Sequence, residues 1–175
     1  MNTQNVLVWN PRGLNSRARR SVVRDVVVKE QCSVVYLQET KLESMSVPMS
    51  LELTGPDFDY LCLPSVGASG GVIIAWRRDC WVASQPCLHQ FSATVRLRPI
   101  QGRWLTSVYG PTTSHLKPLL LQELLDLQNT CAGAWVVCGD FNLILQPQDK
   151  NNGRLHLRHM RRFRDVLQDL QLLEQ

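Results

Sequence analysis

The chain has 175 residues, a formal net charge of +4 and a hydrophobic share of 44%. That suits one domain with a real core and excludes a membrane span, because no apolar run approaches the ~20 residues a bilayer requires. The opening stretch MNTQNVLVWN has no basic region followed by a long apolar one, so no secretory signal is read, and an intracellular location, nuclear or cytoplasmic, is expected. The six cysteines (Cys32, Cys62, Cys80, Cys87, Cys131 and Cys138) form no C-x-x-C pair. They are read as buried free thiols of a reducing compartment rather than as zinc ligands.

In chain order, NVLVWN (5–10) reads as a strand ending in a polar residue. SRARRSVVRDVVVKEQ (16–31) reads as a helix with Val22, Val23, Val26 and Val27 on one face, the arginines mostly elsewhere, and Asn15 or Ser16 as N-cap. CSVVYLQET (32–40) is a second strand, again ending in polar residues. Residues 41–56 are mixed, interrupted by Pro48, Gly55 and Pro56. Strand candidates then follow in succession: FDYLCLP, GGVIIAW, CWVASQPCLH, SATVRLRP and RWLTSVYG, most of them separated by Pro, Gly or Arg-Asp turns. PLLLQELLDLQ (118–128) is a helix with Pro118 in its first turn. In WVVCGDFN (135–142) four apolar residues make one buried strand, and the polar pair Asp140 and Asn142 follows Gly139. A polar loop (143–153) leads to a basic amphipathic helix near 156–172, with Met160, Phe163, Leu167 and Leu170 on one face.

A strict strand–helix alternation would predict a doubly wound sheet. A meander bracketed by strand–helix units instead predicts an α/β fold of two packed sheets with helices outside. Charge is uneven: RARRSVVR (17–24) carries four arginines, and residues 154–164 carry five (Arg154, Arg158, Arg161, Arg162, Arg164) and no acid. Such patches attract a polyanion, and each equally suits the wet face of a helix.

The strands share a habit. The first ends in Asn10, the second in Gln38-Glu39-Thr40, a later one in Tyr109-Gly110-Pro111, and the last in Asp140-Phe141-Asn142. Brought to one rim, they would collect one or two carboxylates, two carboxamides and a phenol on rigid supports. No serine or cysteine stands next to a histidine, which argues against an acyl-transfer triad. Hard oxygen donors suit magnesium, which keeps most of its waters and takes one or two protein carboxylates. Gly67, Gly70 and Gly71 lack the lysine of a phosphate-cradling loop.

Taken in order, WNPRGLN, LQETK, GASGGV, VYGP and GDFN resemble the endonuclease/exonuclease/phosphatase superfamily. They are most similar to the endonuclease domains of plant non-LTR (LINE-type) retrotransposons, and the resemblance runs through essentially all of residues 1–175 as a single domain. It implies a DNase I-like four-layer α/β/β/α sandwich and metal-dependent phosphodiester hydrolysis. The metal would be magnesium, with manganese as a substitute, and the partner DNA, with no membrane and no obligate protein partner. By resemblance, Glu39 is the metal ligand and Asn10 helps hold the metal site and phosphate. Tyr109 would hydrogen-bond the scissile phosphate, Asp140 orient or activate the attacking water, and Asn142 bind phosphate and support the transition state. The arginines of 154–164 are the nucleic-acid-binding candidates. Arg12 stands where some repair nucleases of the superfamily carry an acid. The resemblance also implies a C-terminal Ser-Asp-His motif whose histidine and aspartate flank the reacting phosphate. The sequence stops at LQDLQLLEQ without it, so a truncated chain is expected, feeble or inactive for want of a partner worth about 10²–10⁴ in rate. The alternatives are a non-catalytic remnant that binds nucleic acid and a phosphatase acting on a small phosphoester.

Overall fold

Eight strands and four α-helices follow one another in a computed structural model that describes residues 5–67, 69–98, 102–149 and 156–173. They are β1 (Asn5–Trp9), α1 (Arg17–Lys29), β2 (Cys32–Gln38), α2 (Val47–Leu53), β3 (Phe58–Val66), β4 (Ser69–Arg77), β5 (Val82–Leu88), β6 (Ser92–Arg98), β7 (Arg103–Tyr109), α3 (Lys117–Gln128), β8 (Trp135–Asp140) and α4 (Leu157–Asp169). One sheet has the order β1-β2-β4-β3 and the other β5-β6-β7-β8. Within them β1–β2 and β7–β8 run parallel, while β2–β4, β3–β4, β5–β6 and β6–β7 run antiparallel.

The layers follow from the period of two along each strand. In β2 every residue is buried, because both of its faces are covered. Val34 and Tyr36 point at the second sheet and meet Val72, Ile74, Val95, Leu97 and Leu105. Val35 and Leu37 point the other way, onto Val23 and Val27 of α1 and Leu53 of α2. The outer face of the second sheet packs under α3 and α4 through Trp104, Leu120, Leu124, Phe163 and Val166. The result is the expected four-layer helix–sheet–sheet–helix sandwich. All six cysteines are free thiols; Cys32 and Cys131 are buried and the other four half-buried. No helix among the described residues is long and apolar enough to cross a membrane.

Several local expectations differ from the structure. Residues 46–55 hold a helix, α2, because the supposed interruptions serve as its punctuation. The Ser46 Oγ accepts from Met49 N at 3.4 Å as N-cap, Pro48 sits in the first turn where no N–H is needed, and Gly55 stands just past the end. On α1 only Val23 and Val27 are buried, and Val22 faces water. Arg20 takes a place in the interior instead, 8% exposed. Its guanidinium donates to Leu14 O (2.7 Å), Asn15 O (2.9 Å) and Glu52 Oε2 (2.8 Å), tying the loop before α1 to α2. Finally, β8 is an edge strand and only half-buried, with Val136 40% exposed. Its apolar run serves two cores: Trp135 and Val137 pack beneath α3 and α4, while Cys138 lies against the core between the sheets.

Candidate functional site

Parallel pairing of β1 with β2 and of β7 with β8 sends the carboxyl ends of each pair in one direction. Trp9 pairs with Leu37, and Tyr109 with Asp140. The sheets meet so that β1 and β2 lie against β8 and β7. A buried hydrogen bond from Gln38 Nε2 to Ser107 Oγ (3.3 Å) crosses between them. One residue further along, the chain ends converge. Asn10 Nδ2 donates to Asp140 Oδ2 at 3.4 Å, joining residues 130 apart in sequence. The Asp140 Oδ1 accepts from Asn142 N at 3.0 Å, and the Asn142 amide donates to Gly110 O at 2.7 Å. Asn10 Oδ1 is fixed in turn by Arg12 N at 3.0 Å. The Tyr109 phenol is held above its usual range first by burial, then by the negative charges of Glu39 and Asp140, with a hydrogen bond to Asn142 opposing. Both carboxylates therefore face one phenol. The five residues singled out at strand ends form one cluster.

The backbone around them is strained. Arg12, Glu39, Lys41 and Asn142 have φ of 54°, 50°, 55° and 49°, four of the seven non-glycine residues with positive φ among the described residues. Each such conformation costs roughly 1–3 kcal/mol and persists where its surroundings over-determine it, as at functional sites. The surroundings here are explicit. Leu14 N donates to Thr40 O (2.8 Å), Thr40 N to Gly71 O (3.1 Å) and Lys41 N to Gly70 O (3.0 Å), stitching the Glu39 loop to the β3–β4 hairpin. A side chain at Gly71 would put its Cβ 2.3 Å from Thr40 Oγ1, which explains one glycine of the GASGGV stretch. At Gly139 (φ +138°) a Cβ would lie 2.0 Å from Val108 O, so only glycine lets β8 lie this close to β7 just before Asp140.

Two cations unassigned from sequence belong to the site. Lys41 Nζ lies 3.2 Å from Glu39 Oε1, whose side chain is 19% exposed. Lys117, at the start of α3, donates to the Asn142 backbone carbonyl. Lys41 lies inside the LQETK stretch, and Lys117 was masked by the proline after it.

The basic helix flanks this cluster from behind. The Phe163 ring of α4 sits 5.2 Å from that of Phe141. His159 is half-buried, and burial followed by the charge of Lys117 pushes its imidazole below the usual range. Arg158, Arg161 and Arg162 are exposed. Arg164 instead turns its guanidinium onto the preceding loop, donating to Leu145 O and to Met160 Sδ (3.9 Å), so it clasps that loop. Arg154 lies outside the described residues.

Among the described residues no three of His, Cys, Asp and Glu are grouped closely enough to hold a metal. That leaves room for a magnesium ion that keeps its waters, since such an ion requires only one or two carboxylates. Glu39 and Asp140, with the carboxamide of Asn10 beside them, are a donor set of that kind.

A family model described as "Endonuclease/Exonuclease/phosphatase family" matches residues 2–171 of the chain. A search of curated proteins finds no match. Among solved structures, an AP endonuclease from Archaeoglobus fulgidus is similar with a TM-score of 0.72 at 19% identity, over 95% of this chain and 70% of that one. The endonuclease domain of TRAS1, a telomere-specific non-LTR retrotransposon, gives 0.67 at 12%, over 94% and 71%. A mannosyl-6-phosphatase from Bacteroides thetaiotaomicron VPI-5482 gives 0.61 at 15%, over 80% and 66%. At these identities the likeness is one of fold, and the chain spans about two thirds of the length of these structures.

Proposed function

The chain belongs to the endonuclease/exonuclease/phosphatase family, and from that premise we propose that its strand-end cluster is a magnesium-dependent phosphodiester hydrolase site acting on DNA, in the manner of a retroelement endonuclease domain. The observation that carries this reading is the hydrogen bond between Asn10 and Asp140 across 130 residues, beside a phenol that feels both Glu39 and Asp140. Carboxylates, carboxamides and one phenol at a shared rim are the groups that bind a hydrated cation and an anionic phosphate together.

Glu39 holds the metal, with Asn10 and Asp140 beside it. When bound, magnesium neutralises phosphate charge and stabilises the leaving oxygen. The chain's own groups do the rest. Tyr109 stays protonated well above neutral pH and donates its O–H to a phosphate oxygen. Asn142 offers a neutral amide to the transition state without competing for the cation. The Asn142 backbone N–H and the Asn10 side chain fix both oxygens of Asp140, which aims that carboxylate at the attacking water. DNA as substrate draws support from the endonuclease neighbours and from the exposed arginines of α4. Among the described residues this hydrogen-bonded cluster contains no histidine, so slow turnover is expected, short of the about 10²–10⁴ that a positioned acid–base residue supplies.

Purified chain should nick supercoiled plasmid in Mg²⁺ or Mn²⁺ and stop in EDTA, and Glu39→Ala and Asp140→Ala should each abolish the nicking. No nicking at high enzyme would reduce the chain to a nucleic-acid-binding relic. Faster release of phosphate from a hexose phosphate than nicking of DNA would move it to the phosphatase branch.

A further inference from the structure

Beside the strand-end cluster lies a cavity of about 320 Å³ whose role the phosphodiesterase reading leaves open. Its walls come from the β3–β4 hairpin, the turn at Gln90 and Phe91, and the segment from Tyr109 to Leu116. Among the described residues no lysine, arginine, histidine, aspartate or glutamate lines it. An anion would find no side-chain countercharge there, so the cavity suits an uncharged group better than a phosphate.

Tyr109 is the wall common to the two spaces. The side of its ring lies against the hairpin, where a Cβ on Gly70 would sit 3.9 Å from its Cδ1, while its phenol faces Glu39, Asp140 and Asn142. A phosphate held at that phenol therefore places whatever it carries at the cavity mouth. The rim adds a second observation. Val66, at the end of β3, lines the cavity and is 88% exposed, an apolar side chain left bare beside an apolar hollow. Ser69, Gln90, Thr112 and Thr113 add hydroxyl and amide groups to these apolar walls. Apolar faces with a few polar groups suit a flat neutral ring with a hydrogen-bonding edge. A hexose would bring hydroxyls all round and leave several unpaired against Leu63, Val72, Phe91 and Leu116.

We propose that this cavity receives the nucleobase of the nucleotide joined to the scissile phosphate, one base at a time, so that the preferred substrate is an unpaired or unstacked nucleotide. The proposal rests on the phosphodiesterase reading for the position of the phosphate. The size suits a small occupant: about 320 Å³ lies at the small end of the roughly 300–1,000 Å³ of ligand pockets, ample for one base. A base reaches it only after leaving its neighbours, which costs least where the strand is already single or mismatched.

The test compares two single-stranded oligonucleotides of equal length by fluorescence anisotropy with the full chain in EDTA, where hydrolysis cannot intervene. One is made of thymidines; the other has the same phosphates on abasic tetrahydrofuran sugars. The thymidine strand should bind at least about fivefold more tightly, the low end of what one base–aromatic contact supplies. Leu116→Trp, which fills the cavity, should erase that preference and leave the abasic affinity unchanged. Val66→Ser, at an exposed rim position, should reduce the preference with the melting temperature unaltered, and it serves if the tryptophan variant fails to fold. Equal affinity for the two strands, binding of neither, an equal loss on both in the variants, or displacement of the thymidine strand by mannose 6-phosphate but not by thymidine monophosphate would each overturn the proposal. Plasmid nicking run in parallel separates the two ideas. Base preference without nicking sinks the catalytic reading alone, and nicking without base preference sinks the pocket alone.

Discussion

Replacing Gly139 by alanine tests whether the close approach of β8 to β7 sets the position of Asp140. The new Cβ would lie 2.0 Å from the Val108 carbonyl oxygen and 2.9 Å from the Val108 N and C, all backbone atoms with no flexible end to swing away. Real Cβ contacts stay beyond 3.0 Å, so the strands must part by at least about 1 Å at this pair. The next pair is Tyr109 with Asp140. Misplacement of a catalytic group by about 1 Å can cost about 10²-fold in rate. A non-glycine residue at φ +138° adds roughly 1–3 kcal/mol of strain. For a chain of this size each kcal/mol lowers Tm by about 2–4 °C, so strain alone predicts a fall of roughly 2–12 °C and the clash a further loss. Gly133 is the matched control: its φ is +97° but a Cβ there meets nothing within 4 Å, so Gly133→Ala carries the strain without the collision. Melting followed by circular dichroism and nicking of plasmid in Mg²⁺ read the two consequences. Gly139→Ala should melt below Gly133→Ala and nick at about one hundredth of the parent rate or less. If both variants melt together and nick alike, the idea that this glycine positions the site is wrong.

Further expectations come from other parts of the structure. Glu123 is buried and accepts from Phe91 N at 3.2 Å and Ser92 Oγ at 2.6 Å; burial nonetheless raises its carboxyl above 4.5. Its protonated form thus favours the fold, a contribution complete below about pH 4.5 and lost as pH rises through the folded value. Glu123→Gln should accordingly gain relative stability between mildly acidic and neutral pH in a denaturant titration, and a parent-like pH profile would contradict this. Arg20→Ala strands the Leu14 and Asn15 carbonyls and should cost roughly 2–5 kcal/mol by chemical denaturation; a loss under 1 kcal/mol would show that Arg20 is dispensable. Lys41→Ala removes the cation beside Glu39 and should tighten Mg²⁺ binding by up to about fivefold in calorimetry, and weaker binding would reverse that view. Arg161→Ala with Arg162→Ala should lower the slope of log affinity for duplex DNA against log salt by about 1–2, whereas an unchanged slope would remove α4 from the DNA-binding surface.

The fold was legible because its layers rest on local periodicity. Continuous apolar runs in β2 and β4 mark strands covered on both faces, the apolar faces of α1 and α4 mark helices packed on one side, and the order of the elements points away from a single wound sheet. The cluster was legible for a different reason: each member stands at the end of an apolar run, where a polar residue is conspicuous. Features that depend on distant partners escaped. Arg20 reads as one more wet arginine until Glu52 and two loop carbonyls surround it. Residues 46–55 looked broken because Pro48 and Gly55 were read as interruptions rather than as the start and stop of a short helix. The apolar run of β8 could not reveal that, among the described residues, this strand lies at the edge of its sheet, since edge position is a property of the whole sheet. Lys41 sits inside the LQETK stretch and Lys117 beside Pro118, yet neither position shows its role; both matter through which carboxylate or carbonyl the folded chain brings to them.

The two parallel pairs, β1 with β2 and β7 with β8, have a lasting implication for how such a domain diversifies. Each pair is bridged by its own helix, α1 or α3; Asn10 and Glu39 stand one residue beyond their strands, and Tyr109 and Asp140 are the last paired residues of theirs, so the cluster is anchored on strand ends. The hairpin after β3 and the segment leading into α3 contribute walls to the adjoining hollow, and each can lengthen, shorten or change composition without shifting those anchors. Under the proposed reading, the residues that would select a substrate are thereby mechanically decoupled from those that would cleave it.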